Sequence, residues 1–293
     1  MPDPQREESH GFSRVEDVKP RGEVRVPALE SATTIPRGVE SSRMYEAVHA
    51  HPDGDATVAR HAATAARYGY DGIVVRTRSA LSPASATEAG VDDASDTDRP
   101  PTATAVADRY DVDVVDAVEV DADDPGGVSG ALGSARSSHT VVCVVGGDDR
   151  LNRYAVETPR VDVLTRPTAA GGDFNHVLAK AARENGVHVE FDFGPVLRST
   201  GGSRVRALAS LRKLREIVTH YDAPHVVSAN PRSHLELRAP RELVAVAAEA
   251  GFDPEWTQAG LAAWATIASR NRHRRSGSFI EPGVRRGRYE TER

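Results

Sequence analysis

The sequence predicts an α/β fold, a TIM-like barrel of about seven parallel strands, on three observations. Short apolar runs rich in β-branched residues recur from Met44 to about Arg270. Segments with helical periodicity separate most of them, the rhythm of parallel βαβ units. No glycine-rich phosphate fingerprint follows the first run, which sets the chain apart from an open doubly wound sheet that binds a dinucleotide.

In chain order, the strand-like runs are Ala47-Val48, Gly72 to Val75, Val112 to Val115, Thr140 to Val145, Val161 to Leu164, Val187 to Phe191 and His225 to Ser228. Helical segments are expected at Thr57–Tyr68, Thr102–Tyr110, Asp149–Glu157, Asp173–Asn185 and Ser203–Tyr221, with Pro240–Ala250 and Pro254–Arg270 closing the domain. Three stretches break the rhythm. Residues 1–43 mix charges, lack hydrophobic periodicity and contain Pro2, Pro4, Pro20, Pro27 and Pro36, so a disordered extension is expected there. Met44 opens the first strand so directly that it is expected to be the natural start. Ser79–Pro101 is rich in Ser, Ala, Asp and Pro and reads as a solvated loop. Residues 271–293 are expected to form a flexible basic tail, in a stretch that carries Arg270, Arg272, Arg274, Arg275, Arg285, Arg286 and Arg288.

Composition narrows the function. No run approaches the roughly 18 apolar residues of a membrane span, and the N-terminus is charged and broken by prolines, so neither a span nor a secretory signal is expected. The one cysteine, Cys143, lies in an apolar run and reads as a small buried hydrophobe in a cytoplasmic protein. Only Lys19, Lys180 and Lys213 among the 37 basic residues are lysine, and the net charge is −6. This Asp-rich, Lys-poor balance suits a protein adapted to high salt, where an acidic surface maintains solubility. Acidity of the whole is therefore no argument against a polyanionic partner. Residues 44–197 carry 13 basic and 25 acidic side chains, whereas 198–293 carry 17 basic and 10 acidic. That asymmetry is a first sign of a polyanionic partner.

His49 and His51 end the first strand as an H-x-H, and Glu119 ends the third. At the C-terminal rim of a barrel such residues could share a metal. The pattern resembles the polymerase-and-histidinol-phosphatase superfamily of barrel metallophosphoesterases, which leaves a metal-dependent phosphoesterase as the alternative function. The rest of that ligand set is absent. Arg166 stands where the resemblance implies a histidine, and Asn230 and Arg232 stand where it implies an Asp-x-His. An amide supplies no carboxylate and a guanidinium is a fixed cation. No metal is therefore expected, and His49, His51 and Glu119 are expected only as vestigial ligands. Arg76, Arg166 and Arg232 should instead line one rim and contact phosphates.

The segments Asn175 to Ala182, Val189 to Arg198 and Arg232 to Val244 are similar to the signatures of the ribonuclease P thirty-kilodalton subunit family, whose archaeal members are protein component 3. The resemblance spans about Met44 to Tyr289 and is most specific in the second half. It implies a subunit that binds and activates a catalytic RNA for removal of the 5′ leader of pre-tRNA, with no activity of the protein alone. The implied partners are that RNA, other protein subunits including a small RRM-like one, and pre-tRNA as the substrate of the complex; magnesium is expected for the RNA and no cofactor for the protein.

Local physics points to the turn after Arg198. Thr200-Gly201-Gly202-Ser203 precedes a helix, with Ser203 as its expected N-cap, and free backbone N–H groups there favour an anion. Leu208, Leu211, Leu214 and Val218 form the expected buried stripe, with Arg206, Arg212 and Lys213 on the opposite arc. An ordinary capped helix start and ordinary salt bridges are the competing explanation. The expected RNA-binding set is Arg76, Arg166, Arg198, Arg204, Arg206, Arg212, Lys213, Arg232, Arg238 and Arg241.

Overall fold

The computed structural model describes residues 42–82, 100–276, 279–281 and 284–285. The expectations for residues 1–41, for 83–99 within the solvated loop and for most of the chain beyond Ser276 lie outside the described residues.

Seven strands, β1 (Tyr45–Val48), β2 (Gly72–Val75), β3 (Asp113–Val120), β4 (Val141–Val145), β5 (Val163–Thr165), β6 (His188–Asp192) and β7 (His225–Ser228), pair in sequence order, all parallel. Helices α1 (Val58–Tyr68), α2 (Ala103–Tyr110), α3 (Pro125–Ser138), α4 (Asp149–Glu157), α5 (His176–Asn185), α6 (Gly194–Arg198), α7 (Gly201–His220), α8 (Pro240–Glu249) and α9 (Pro254–Arg275) connect or follow them. A short antiparallel pair, β8 (Phe279–Glu281) and β9 (Val284–Arg285), comes last. The seven-stranded barrel is nearly closed, as the alternating pattern predicts.

Period-two alternation divides the core. Ala47, Val74, Val115, Ala117, Cys143, Val163 and Val226 turn to the interior and meet Trp264, Ile267 and Ala268 of α9. The alternate residues, among them Val48, Ile73, Val118, Val144, Leu164 and Val189, join the surrounding helices in a second cluster. Strands buried on both faces read as continuous apolar runs, which is why they stand out in the sequence. The Cys143 thiol is fully buried and burial pushes its pKa up, in keeping with its reading as a hydrophobe.

The seam between β7 and β1 carries no strand ladder. The fully buried Glu46 spans it, accepting hydrogen bonds from Ser228 Oγ (2.6 Å) and Ala229 N (3.1 Å). Tyr70 donates to its other oxygen at 3.1 Å. Helix α9 packs along β7 and β1, and the Trp264 indole donates to Val227 O at 3.0 Å. Gly260 permits this approach, since a Cβ there would lie 2.5 Å from Val227 Cγ2.

Two sequence expectations change. Helix α3 is not foreseen from the sequence, because Gly126, Gly127, Gly130 and Gly133 lower helix propensity by about 1 kcal/mol each relative to alanine. It forms because Asp124 caps Gly127 N at 2.9 Å, Pro125 suits the first turn, and Val128, Leu132 and Ala135 are buried. Helix α9 also runs to Arg275 rather than ending at Arg270. Arg272 pairs with Asp113 (2.6 Å), Arg270 with Asp162 (2.9 Å) and Arg275 with Asp116 (3.8 Å). These arginines clamp the helix across the starts of β3 and β5, so residues 271–275 belong to the barrel and not to a basic tail.

Candidate nucleic-acid interface

The carboxyl ends of the strands bring His49, Arg76, Glu119, Arg166, Glu190, Asp192 and Asn230 together. Arg76 follows β2, but its side chain turns inward and the residue is only 1% exposed. Nη1 donates to Glu119 Oε2 at 3.3 Å and to Glu190 Oε2 at 3.2 Å, while Nη2 makes a short bond to Glu190 Oε1. The guanidinium also lies 5.1 Å from the Trp264 ring centroid. Arg76 is therefore a core ion-pair residue and not an RNA contact on the rim. The physical reason is the alternation after Val74, an interior residue, which sends position 76 inward toward two buried carboxylates.

Burial pushes the Glu190 carboxyl up while Arg76 pulls it back. Burial alone would also raise Glu119, but Arg76, His49 and Arg166 more than offset this and hold it below the ordinary carboxylate range. The Arg76 cation persists because Glu190 and Glu119 outweigh the cost of burial. His49 is largely buried and its pKa is lowered to about 4 by burial and by Arg76, so it is neutral near pH 7 although Glu119 Oε2 lies 3.6 Å away.

These residues do not fit a metal. The Arg76 guanidinium fills the space between Glu119 and Glu190, where a cation would need those oxygens. Asn230 takes the left-handed backbone region (φ 49°) and spends its amide on Asp192 Oδ2 at 3.0 Å. His51 is exposed and parts from His49, because the chain turns after Ala50. Among the described residues no group of three His, Cys, Asp or Glu side chains is placed to hold a metal ion.

Arg166 is the cation at the mouth. It adopts φ 50° at the end of β5, its side chain is 41% exposed, and Nη2 donates to Glu119 Oε1 at 2.6 Å. Arg232 is exposed but directed back, with Nη2 bonded to Asp53 O and its own N–H to Glu236 Oε2 at 2.8 Å. Arg198 reaches across to Ala229 O (3.0 Å), Asn230 O (3.2 Å) and Glu236 (3.6 Å), so it ties α6 to the segment after β7.

Helix α7 starts at Gly201 and its N-cap is Thr200, without a side-chain hydrogen bond. Ser203 is not the cap; its hydroxyl accepts from Arg206 Nη2 at 3.1 Å. Residues 201–206 are all exposed, including Val205 at 65%, so the first turns stand clear of the barrel. Leu211, Leu214 and Val218 are buried as expected, and Leu208 is half-buried.

The expected cation set divides by its local partners. Arg212 Nε donates to Ala250 O at 2.8 Å and Lys213 pairs with Asp173 at 3.0 Å, so both are exposed yet tethered. Arg238 is half-buried and bonds Leu235 O (3.2 Å) and Leu237 O (3.1 Å). Arg204 and Arg241 are exposed, and neither has a hydrogen bond or ion pair among the described residues. Exposed Leu235 lies in the same segment as Arg238. Sequence reasoning missed the tethers of Arg212 and Lys213 because the Ala250 carbonyl and the Asp173 carboxylate come from distant segments, and that of Arg238 because its acceptors are backbone carbonyls, which no side-chain pattern reports.

A family model described as RNase P subunit p30 matches residues 41–276. The chain is 72% identical over 249 residues to ribonuclease P protein component 3 of Halorubrum lacusprofundi, covering 85% of this chain and 100% of the relative. It is 57% identical over 242 residues to the protein of the same name from Haloarcula marismortui, covering 83% and 96%. The fold resembles a chain in the cryo-EM structure of archaeal ribonuclease P with mature tRNA, with a TM-score of 0.68 and 19% identity over 85% of this chain and 100% of that one.

Proposed function

Because the chain belongs to the RNase P subunit p30 family, we propose that it holds ribonuclease P RNA through exposed arginines around the carboxyl end of its barrel. It is a protein subunit of ribonuclease P, the endoribonuclease that removes the 5′ leader from pre-tRNA, and the protein is not the catalytic part. Its partners are the RNA and the other subunits of that particle, with pre-tRNA as the substrate of the whole. A small RRM-like subunit among those partners, a cytoplasmic location and magnesium serving the RNA belong to the same proposal. No helix among the described residues is long and apolar enough to cross a membrane.

The family membership carries the assignment, and Arg204 and Arg241, which have no partner among the described residues, support the mode of binding. In a chain of net charge −6, exposed cations without a carboxylate partner are not required for solubility. Phosphate contacts from such residues release counterions and are largely indifferent to sequence. Arginine suits high salt, since a bidentate, weakly hydrated fork relies less on long-range attraction than an ammonium does. Arg198, Arg206, Arg212, Lys213, Arg232 and Arg238 are contributors whose local bonds leave fewer N–H groups to donate.

The test is reconstitution. Added to ribonuclease P RNA and the other subunits, the full chain should lower the magnesium needed for pre-tRNA cleavage. Replacing Arg204, Arg206 and Arg241 with alanine should remove much of that effect and reduce the salt dependence of RNA binding by about one unit for each phosphate that is no longer neutralised. Equal changes at Arg6, Arg14 and Arg25 serve as the control. Identical behaviour of the two sets would reject the placement.

A further inference from the structure

A chain of alternating charges runs from the barrel core to its rim, and its last member is aimed at solvent. Glu190, Arg76, Glu119 and Arg166 follow one another with N–O separations of 3.2, 3.3 and 2.6 Å. The inner three side chains are 0%, 0% and 9% exposed, whereas Arg166 is 41% exposed. Glu119 thus cannot wander, since Arg76 grips one oxygen and Arg166 takes the other. Arg166 uses only Nη2 in its protein contacts, to Glu119 and at 3.9 Å to Asp121, which leaves Nε and Nη1 without protein partners among the described residues.

The backbone supports a functional reading. Arg166 holds φ 50° immediately before Pro167, a conformation that costs a non-glycine residue about 1 kcal/mol or more. The neighbouring Thr165 and Pro167 are both buried, so the surroundings enforce the geometry. A side chain merely neutralising Glu119 would need no such fixed setting.

We infer that Arg166 binds a phosphate of the RNA backbone at the barrel mouth, and that Glu119, anchored by Arg76, is the positioning residue that sets its guanidinium. This rests on the RNA-binding reading above. A guanidinium with one edge fixed by a carboxylate presents its remaining N–H groups in one orientation, which suits the planar fork to a phosphate oxygen pair. Glu119 makes no contact with the ligand; it acts through Arg166.

Affinity for ribonuclease P RNA should be measured with the full chain and the remaining subunits across a KCl titration, with thermal midpoints recorded in parallel. R166A should weaken binding about tenfold, the removal of one charge-assisted bond, and flatten the salt slope by about one unit while the midpoint stays unchanged. R166K should retain the salt slope yet lose affinity, because an ammonium cannot bond Glu119 and a phosphate in one fixed plane. E119Q separates positioning from simple neutralisation: positioning predicts several-fold weaker binding, whereas release of a merely neutralised arginine predicts tighter binding and overturns the inference. Should E119Q melt early, the R166A and R166K pair decides alone. Undiminished affinity of R166A alongside a weakened Arg204, Arg206 and Arg241 triple variant rejects the inference and leaves the RNA-binding reading intact. Absence of any RNA binding by the unaltered chain rejects both.

Discussion

Replacing Arg76 with methionine should destabilise the barrel severely, and in a pH-dependent manner. The side chain is fully buried, so the substitution removes a cation from between two carboxylates that solvent cannot reach, Glu190 at 0% and Glu119 at 9% exposure. Glu119 keeps Arg166, but Glu190 has no other cation within salt-bridge distance among the described residues. Breaking a buried pair by deleting one partner costs about 3–5 kcal/mol. For a domain of this size that corresponds to a fall in thermal midpoint of about 10 °C. The unpaired Glu190 escapes part of the cost by taking up a proton. Its pKa, already pushed up by burial, should rise further once Arg76 is gone. A carboxyl with a raised folded pKa is most favourable to the fold in acid, and that contribution is lost as pH rises through the folded value. The deficit of R76M should thus be small near pH 5 and largest at pH 8. R76M/E190Q should recover much of it. Urea unfolding at pH 5, 6.5 and 8 measures the effect. A loss below about 1 kcal/mol at pH 8 would refute the ion-pair argument. So would impaired RNA binding at unchanged stability, which would return Arg76 to the rim.

Three further outcomes follow from the packing. G260A should cost about 1–3 kcal/mol although alanine is the better helix former, because its Cβ would sit 2.5 Å from Val227 Cγ2; unfolding of G260A, V227A and the double variant should reveal coupling between the two positions. Burial raises the Glu46 pKa from 4.5 to about 7, so its contribution is full below about pH 4.5 and disappears as pH rises through 7, a loss of up to about 3 kcal/mol. E46Q should flatten that part of the stability–pH curve, and an unchanged curve would place the titration elsewhere. N152A should cost about 2–3 kcal/mol in chemical unfolding, since it strips Gly147 N, Pro167 O and Asp173 O of their buried partner; a loss within about 0.5 kcal/mol would show that these groups find other bonds.

The barrel and the family are legible in the chain alone. Strands covered on both faces must be apolar throughout, and most of the helices between them carry a stripe, so the seven strands and the helices between them other than the glycine-rich α3 and the short α6 can be read along the chain. The segments from Asn175 to Val244 likewise carry the resemblance that the comparisons bear out. Which arginines are free is settled only in three dimensions. Arg76, Arg166 and Arg232 all follow strands, Arg198 ends the short α6 after β6, and the four look alike in sequence. The difference among them depends on whether a carboxylate from another strand, or a carbonyl some thirty or more residues away, lies within reach. Arg270, Arg272 and Arg275 show the same limit, since their acceptors Asp162, Asp113 and Asp116 belong to distant strands or their approaches. Periodicity reports which side of its own element a residue occupies. A charge, however, is satisfied by groups that only folding brings together, and that pairing exists in space and not along the chain.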